Sequence, residues 1–116
     1  METANLNDNL AFDDDKIRIT SVLETGSSKE IRIALKAGQE MREHNAPRPI
    51  VVELFRGKVD FFVHGEKLEL EEGALVALAA KVPHSLLALE DSVVRLTLHK
   101  ADSVQRVGNV PFTVHR

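Results

Sequence analysis

A chain of 116 residues with 43% apolar and 28% charged side chains has the size and composition of one globular domain, so we expect a single hydrophobic core. The net charge of −3 comes without a clustered basic stripe, which argues against a nucleic-acid partner. The sequence contains no cysteine, tyrosine or tryptophan, which excludes disulfides, thiolate chemistry, a phenolic acid and an indole stacking platform.

The first 15 residues are predominantly polar and end in three consecutive aspartates. We interpret residues 1–15 as a solvated lead-in, with one helical turn around Leu6 and Leu10. This segment lacks the basic-then-apolar order of a signal peptide, and no stretch of the chain approaches the roughly 20 apolar residues of a membrane span. We therefore expect a cytoplasmic protein with no membrane partner.

Residues 16–100 show the pattern of short strands joined by tight turns. Apolar and polar side chains alternate, for example over residues 30–36, and turn residues recur every 7 to 12 positions, which predicts about eight or nine strands. His64 and Gly65 are predicted to form a two-residue hairpin turn, because both residue types tolerate positive φ. No segment keeps a helical period, so the predicted class is an all-β sandwich or barrel.

The segment 38–49 is polar and contains two prolines. Proline lacks a backbone donor and disrupts a helix, so we predict a loop at the rim of the barrel. His44 lies inside this predicted loop, flanked by Arg42 and Arg48. The arginines could meet an anion at the mouth of a pocket, but the sequence favours ordinary solvated charges.

Residues 101–116 are predicted to form a C-terminal extension that packs on the barrel or on a dimer partner. A short helix is predicted over residues 101–107 and an edge strand over residues 110–114, in this chain or in a neighbouring one. A small barrel leaves exposed edge strands, and the apolar runs at 17–23 and 110–114 are candidates to pair with a second copy. We therefore predict a twofold homodimer.

Two spaced patterns of glycine and histidine occur in the middle of the chain. In the first, five residues separate Gly38 from His44, and Gly57 follows; in the second, Gly73 is followed at the motif spacing by a Pro-His step that ends at His84. These patterns resemble the two motifs of the cupins, over about 60 residues. The resemblance implies an antiparallel, all-β cupin double-stranded β-helix, a jelly-roll barrel, over residues 16–100.

The resemblance is incomplete at the four positions that hold the ion in metal-binding cupins. The second histidine of the first motif is replaced by Ala46, and its glutamate by Ile50. Only His44 and His84 are retained. This His-x-Ala-Pro form of the segment resembles a group of small bacterial cupins with no assigned reaction, so the resemblance implies an architecture but no mechanism.

Strand parity in the family indicates which side chains would surround the histidines. Positions 44, 46 and 50 share one face. Along the strand after Ile50, Val52 and Leu54 lie on that same face, and Glu53 lies on the opposite, outward face. The predicted ligand pocket is small and largely apolar. Its residues are His44, His84, Ala46, Ile50, Val52 and Leu54.

Three kinds of chemistry are open to such a pocket. The first is one divalent transition metal (Zn, Fe, Mn, Ni or Cu) held weakly by His44 and His84, because two neutral imidazoles supply neither a third ligand nor a negative charge. His64 or His99 adds a third ligand only if the fold places it near His44 and His84. The second is metal-free acid–base chemistry, as in the sugar epimerases of the superfamily, for which the partner tyrosine is missing. The third is the binding of a small-molecule ligand without turnover.

The leading interpretation is a cupin-domain protein that binds a small molecule or keeps a degenerate metal site. The alternative is a metal-dependent small-molecule enzyme, dioxygenase-like or isomerase-like. Cupins as a superfamily include enzymes and sensory domains, so the fold does not choose between these functions.

Overall fold

The computed structural model describes residues 1–100 and the backbone of Val114 and His115. Within these residues the secondary structure consists of strands and turns, and no helix is long and apolar enough to cross a lipid bilayer. The strands in chain order are β1 (Arg18–Glu24), β2 (Ser28–Leu35), β3 (Glu40–His44), β4 (Ile50–Arg56), β5 (Lys58–Val63), β6 (Glu66–Glu71), β7 (Leu75–Leu78), β8 (His84–Ala88), β9 (Ser92–His99) and β10 (Val114–His115).

The strands form two five-stranded antiparallel sheets, which confirms the predicted all-β class. The first sheet has the order β1-β2-β9-β4-β7 and the second the order β10-β3-β8-β5-β6. Side chains of opposite faces alternate along each strand, so one set from each sheet enters the space between them. Ile33, Val94 and Leu54 are neighbours across three strands of the first sheet, and all are buried in this shared core.

The outer face of the first sheet carries an ion-pair cluster. Arg95 on β9 contacts Glu30 on β2 and Glu53 on β4, with nitrogen–oxygen distances of 2.7 Å in both pairs. Glu53 therefore points outward, as strand parity predicts, and its neighbours Val52 and Leu54 point into the core. Opposite charges on adjacent strands stabilise the sheet register.

The lead-in lies against the outer face of β2, where the buried side chain of Arg32 holds it. A guanidinium is costly to bury unless its donors are satisfied, and here three backbone carbonyls accept from it. The acceptors are the carbonyl oxygens of Leu6, Asp8 and Asn9, at 3.0, 2.8 and 3.4 Å. Most lead-in side chains remain exposed, so this contact anchors the backbone rather than extending the core.

The hairpin between β5 and β6 has the predicted turn. His64 and Gly65 have φ values of 53° and 77°, and Val63 pairs with Glu66 across the turn. Positive φ at both central residues matches the right-handed twist of the strands. The two-residue hairpin prediction is confirmed.

The prediction of a loop throughout residues 38–49 is wrong, because β3 occupies the middle of the segment and His44 is its last residue. The ladder between β3 and β8 shifts register between Met41 and His44, as at a β-bulge. These two residues are three positions apart and both are buried, whereas Arg42 and Glu43 between them are exposed. The strand therefore lacks the period-two alternation that reveals a strand in a sequence.

The C-terminal strand β10 pairs with β3 of the same chain, with Val114 opposite Met41 and His115 opposite Glu40. The helix predicted over residues 101–107 lies outside the described residues, and so does the part of the predicted edge strand over 110–113. The homodimer stays a prediction.

Truncation of the chain after Lys100 tests whether the C-terminal extension is needed for dimerisation. We expect the intact chain to sediment as a dimer and the truncated chain to shift toward monomer, because truncation removes residues 110–114, one of the two apolar runs proposed to pair with a second copy. Light scattering or sedimentation velocity measures the mass. An unchanged dimer after truncation removes the tail from the interface.

Candidate functional site

The two histidines of the cupin-like motifs meet at the end of the β3–β8 ladder. His44 and His84 are direct Cα partners across the two strands. Their ring centroids are 4.3 Å apart, with the ring planes at 60°, and the residues are 7% and 4% exposed. The structure thus brings into contact two imidazoles that are forty residues apart in the chain.

Backbone contacts define which ring nitrogen of each histidine carries the proton. Nδ1 of His44 lies 2.7 Å from the carbonyl oxygen of Arg42, and Nδ1 of His84 lies 3.0 Å from that of Val82. A carbonyl oxygen only accepts, so each Nδ1–H donates, and the lone pair of each neutral ring is on Nε2. Histidines that bind metals are usually oriented by this kind of contact at the other ring nitrogen.

The histidines line a cavity of about 10 Å³ between the sheets. That volume corresponds to roughly one water molecule or one ion. Of the predicted wall residues, Val52 lines this cavity, while Ala46, Ile50 and Leu54 are buried in the core outside its lining. Among the described residues, the lining consists of Ile33, Met41, His44, Val52, Phe61, His84, Leu86, Val94 and Leu96.

Two of the lining residues are parts of the site that sequence reasoning missed. Phe61 is stacked on His84, with centroids 5.7 Å apart and planes at 17°, so it supports that ring. Met41 is fully buried and lines the same cavity. The signal for Met41 in the sequence is weak, because its three-residue spacing from His44 predicts opposite faces in a regular strand.

A backbone hydrogen bond links the segment that follows His44 to the segment that precedes His84. The N–H of Lys81 donates to the carbonyl oxygen of Ala46 at 2.7 Å. Lys81 has a φ of 67° and stands where the second cupin motif has glycine. A non-glycine residue in this region is strained by roughly 1 kcal/mol or more, so the contact is maintained against a local conformational cost.

The other candidate ligands do not reach the histidine pair. His64 is in the exposed β5–β6 turn, and His99 is exposed at the end of β9, opposite Ser28. Within residues 1–100, no group of three or more His, Cys, Asp or Glu side chains is placed to hold a metal ion. Arg42 and Arg48 are absent from the cavity lining, and Arg42 borders a surface depression instead.

Burial lowers the pKa of both histidines. For His44, desolvation lowers the pKa, and the hydrogen bond to the Arg42 carbonyl partly opposes that effect. For His84, desolvation again lowers the pKa, the Val82 carbonyl raises it, and the neighbouring His44 lowers it further. The other described residues of the lining are apolar, and with a pKa below 6.5 both rings are neutral near pH 7.

The lowered pKa values predict acid sensitivity of the metal-free protein. Because the unfolded chain binds protons on these histidines near their ordinary pKa of 6.5 and the folded chain binds them only at lower pH, the stability contribution is complete above 6.5 and is lost as the pH falls below it. Urea unfolding followed by circular dichroism at pH 7.5 and 5.5 measures the loss. The double variant His44→Gln/His84→Gln should lose less stability over this interval; an equal loss would assign the acid sensitivity to other groups.

Two antiparallel sheets that enclose a buried histidine pair define a double-stranded β-helix protein. No protein-family model matches the chain, and no curated protein matches it in sequence. Solved structures do match it, and several of them are described as cupin or double-stranded β-helix proteins. The chain has the RmlC-like cupin fold.

Three of these structures show how extensive the match is. An RmlC-like cupin protein from Desulfovibrio desulfuricans is 25% identical, with a TM-score of 0.78 over 85% of this chain and 96% of that one. A conserved protein with a double-stranded β-helix domain from Klebsiella pneumoniae is 16% identical, with a TM-score of 0.77 over 100% and 98%. A cupin superfamily protein from Desulfitobacterium hafniense is 8% identical, with a TM-score of 0.72 over 78% and 83%. These similarities establish the fold of the chain and leave its activity open.

Proposed function

We propose that this protein binds one transition-metal ion through Nε2 of His44 and Nε2 of His84. The observation that carries the proposal is the orientation of both rings, since each Nδ1–H donates to a backbone carbonyl and each lone pair therefore lies on Nε2. The rings are also in contact, 4.3 Å apart. Two neutral lone pairs at the wall of one cavity are a ligand pair with no proton to remove before binding.

The four-ligand divalent site of metal-binding cupins does not fit these residues. Ala46 and Ile50 carry no donor, and within residues 1–100 no cluster of three conventional ligands exists. The site is therefore degenerate in the sense of keeping two ligands of four. Its affinity for a hard divalent ion is expected to be low, because neither ligand supplies negative charge.

The size of the cavity favours an ion over an organic ligand. Pockets for small organic molecules usually enclose about 300 Å³ or more, whereas this cavity has about 10 Å³. A metabolite would need the packed residues around the cavity to move apart. The alternative of a metal-dependent enzyme meets the same obstacle, because a substrate must reach an ion that lies among buried side chains.

Elemental analysis and titration test the proposal. Protein purified without chelator or affinity nickel is expected to carry or take up about one transition-metal ion per chain. His44→Ala and His84→Ala should each abolish uptake. His99→Ala is the matched control, because that histidine is exposed at the end of β9 and should leave uptake unchanged.

Three results would contradict metal binding at this site. The first is an intact chain that takes up no ion of any kind. The second is uptake that survives both His44→Ala and His84→Ala, which would place the ion elsewhere. The third is a metal-free protein that co-purifies with an organic molecule, which mass spectrometry of the denatured protein would detect and which would favour the small-molecule interpretation.

A further inference from the structure

We propose that the thioether of Met41 joins the two imidazoles as a third ligand and that this uncharged donor set selects copper(I). The inference rests on the proposed metal binding and specifies the ion and the missing ligand. Met41 is fully buried and lines the same cavity as His44 and His84. Metal-binding cupins hold the ion with histidines and a glutamate, so a site with a thioether ligand differs from the divalent site of the family.

The β-bulge in β3 is what places Met41 beside the histidines. Met41 pairs with Leu86 and His44 pairs with His84, although the spacing is three residues on β3 and two on β8. The extra residue of the bulge shifts the alternation of inward and outward side chains by one position, so that Met41 and His44 both face the interior. Without it, a strand that directs His44 inward would direct residue 41 to solvent.

The chemistry of the lining suits a soft ion of low charge. Thioether sulfur selects copper(I) among the first-row metals, and imidazole also binds copper well. No Asp or Glu among the described residues lines the cavity, and the chain has no Cys, so none of these residues supplies a negative charge to a buried cation. The desolvation cost of an ion rises with the square of its charge, so a divalent ion is penalised about four times as strongly as a monovalent ion in such surroundings.

The cavity is small enough for one ion, and most of its lining is apolar. Its volume is about 10 Å³, and Ile33, Val94 and Leu96 contribute hydrocarbon walls. Hydrocarbon surroundings favour the monovalent state of copper over the divalent state for the same electrostatic reason. A methionine that only fills space in a core has no such preference between ions, which makes the two roles of Met41 separable.

Competition experiments with the full-length chain test the inference. Copper(I) is supplied without oxygen and competed with a coloured copper(I) chelator, and zinc(II) is titrated in parallel. We expect copper(I) to bind at least about a hundredfold more tightly than zinc(II). Met41→Leu should weaken copper(I) binding by about tenfold or more and leave zinc(II) binding within about twofold. Leu86→Ile is the matched control, since Leu86 lines the cavity without a donor.

X-ray absorption at the copper edge supplies a second measurement. The chain contains two methionines and no cysteine, so Met41 is the only sulfur apart from that of the exposed Met1. A sulfur neighbour of copper in the wild-type protein that disappears in Met41→Leu would identify the ligand. The same spectrum in both proteins, without sulfur, would overturn the assignment.

The outcomes separate this inference from the proposed function. Binding of zinc(II) as tight as that of copper(I), together with no effect of Met41→Leu, would overturn the copper site and leave the histidine pair as a metal site. Failure of every ion to bind the intact chain would overturn both. Loss of copper(I) in Met41→Leu with retention in Leu86→Ile supports the three-ligand site.

Discussion

Replacement of Phe61 by alanine is expected to lower the free energy of unfolding by about 3–5 kcal/mol, because the ring is fully buried and its removal leaves a cavity in the core. The same change removes the aromatic face stacked on His84, 5.7 Å away. Urea unfolding by far-ultraviolet circular dichroism measures the loss; the sequence has no tryptophan for a fluorescence assay.

Phe62→Ala is the matched control for this prediction. Phe62 is the next residue on β5, points to the opposite face and is only partly buried. Its truncation should cost at least about 2 kcal/mol less than that of Phe61. Equal losses would show that the ring of Phe61 is not packed more tightly than that of Phe62.

Replacement of Gly57 by alanine is expected to cost about 3 kcal/mol or more. Gly57 has a φ of 99°, and a Cβ at this position would lie 2.7 Å from the backbone oxygen of Asp91 and from Cα of Ser92. Backbone atoms cannot rotate away as a side chain can, so the clash adds to the conformational strain of a positive φ. The expected result is a lower midpoint of urea unfolding with an unchanged slope.

Gly65→Ala separates the two contributions at Gly57. Gly65 also has a positive φ, 77°, but a Cβ there meets nothing within 4 Å. Its replacement should cost only the conformational strain, roughly 1–2 kcal/mol. If the two alanine variants lose the same stability, the contact between the β4–β5 turn and the start of β9 is not as tight as the structure indicates.

The elements that the sequence predicted well are those in which local chemistry and the fold agree. The turn at His64 and Gly65 needs positive φ, which these residue types tolerate, and the structure has it at both positions. The alternation of β4 and of residues 94–99 in β9 reports which face is buried, because hydrophobic burial acts on every second residue of a regular strand.

The site was less predictable because its geometry depends on a break in that alternation. β3 looks like a polar loop in the sequence, and the bulge between Met41 and His44 cancels the signal that would identify it as a strand. Sequence parity placed Ala46, Ile50 and Leu54 around the pocket, and all three are buried, but of β4 only Val52 lines the cavity, together with residues of other strands in both sheets. Their burial follows from parity, whereas membership of a cavity depends on how two sheets stack.

The sequence by itself determined the fold class and the two glycine–histidine patterns, because residue identity and spacing are sufficient for each, and the resemblance to cupins showed that Ala46 and Ile50 stand at two of the four positions that hold the ion in metal-binding members. Only the tertiary structure decided the distance between the imidazoles, the nitrogen on which each lone pair lies and the presence of Met41 beside them. Each of these depends on a contact between residues far apart in the chain or on a register shift, and neither leaves a periodic trace in the amino-acid order.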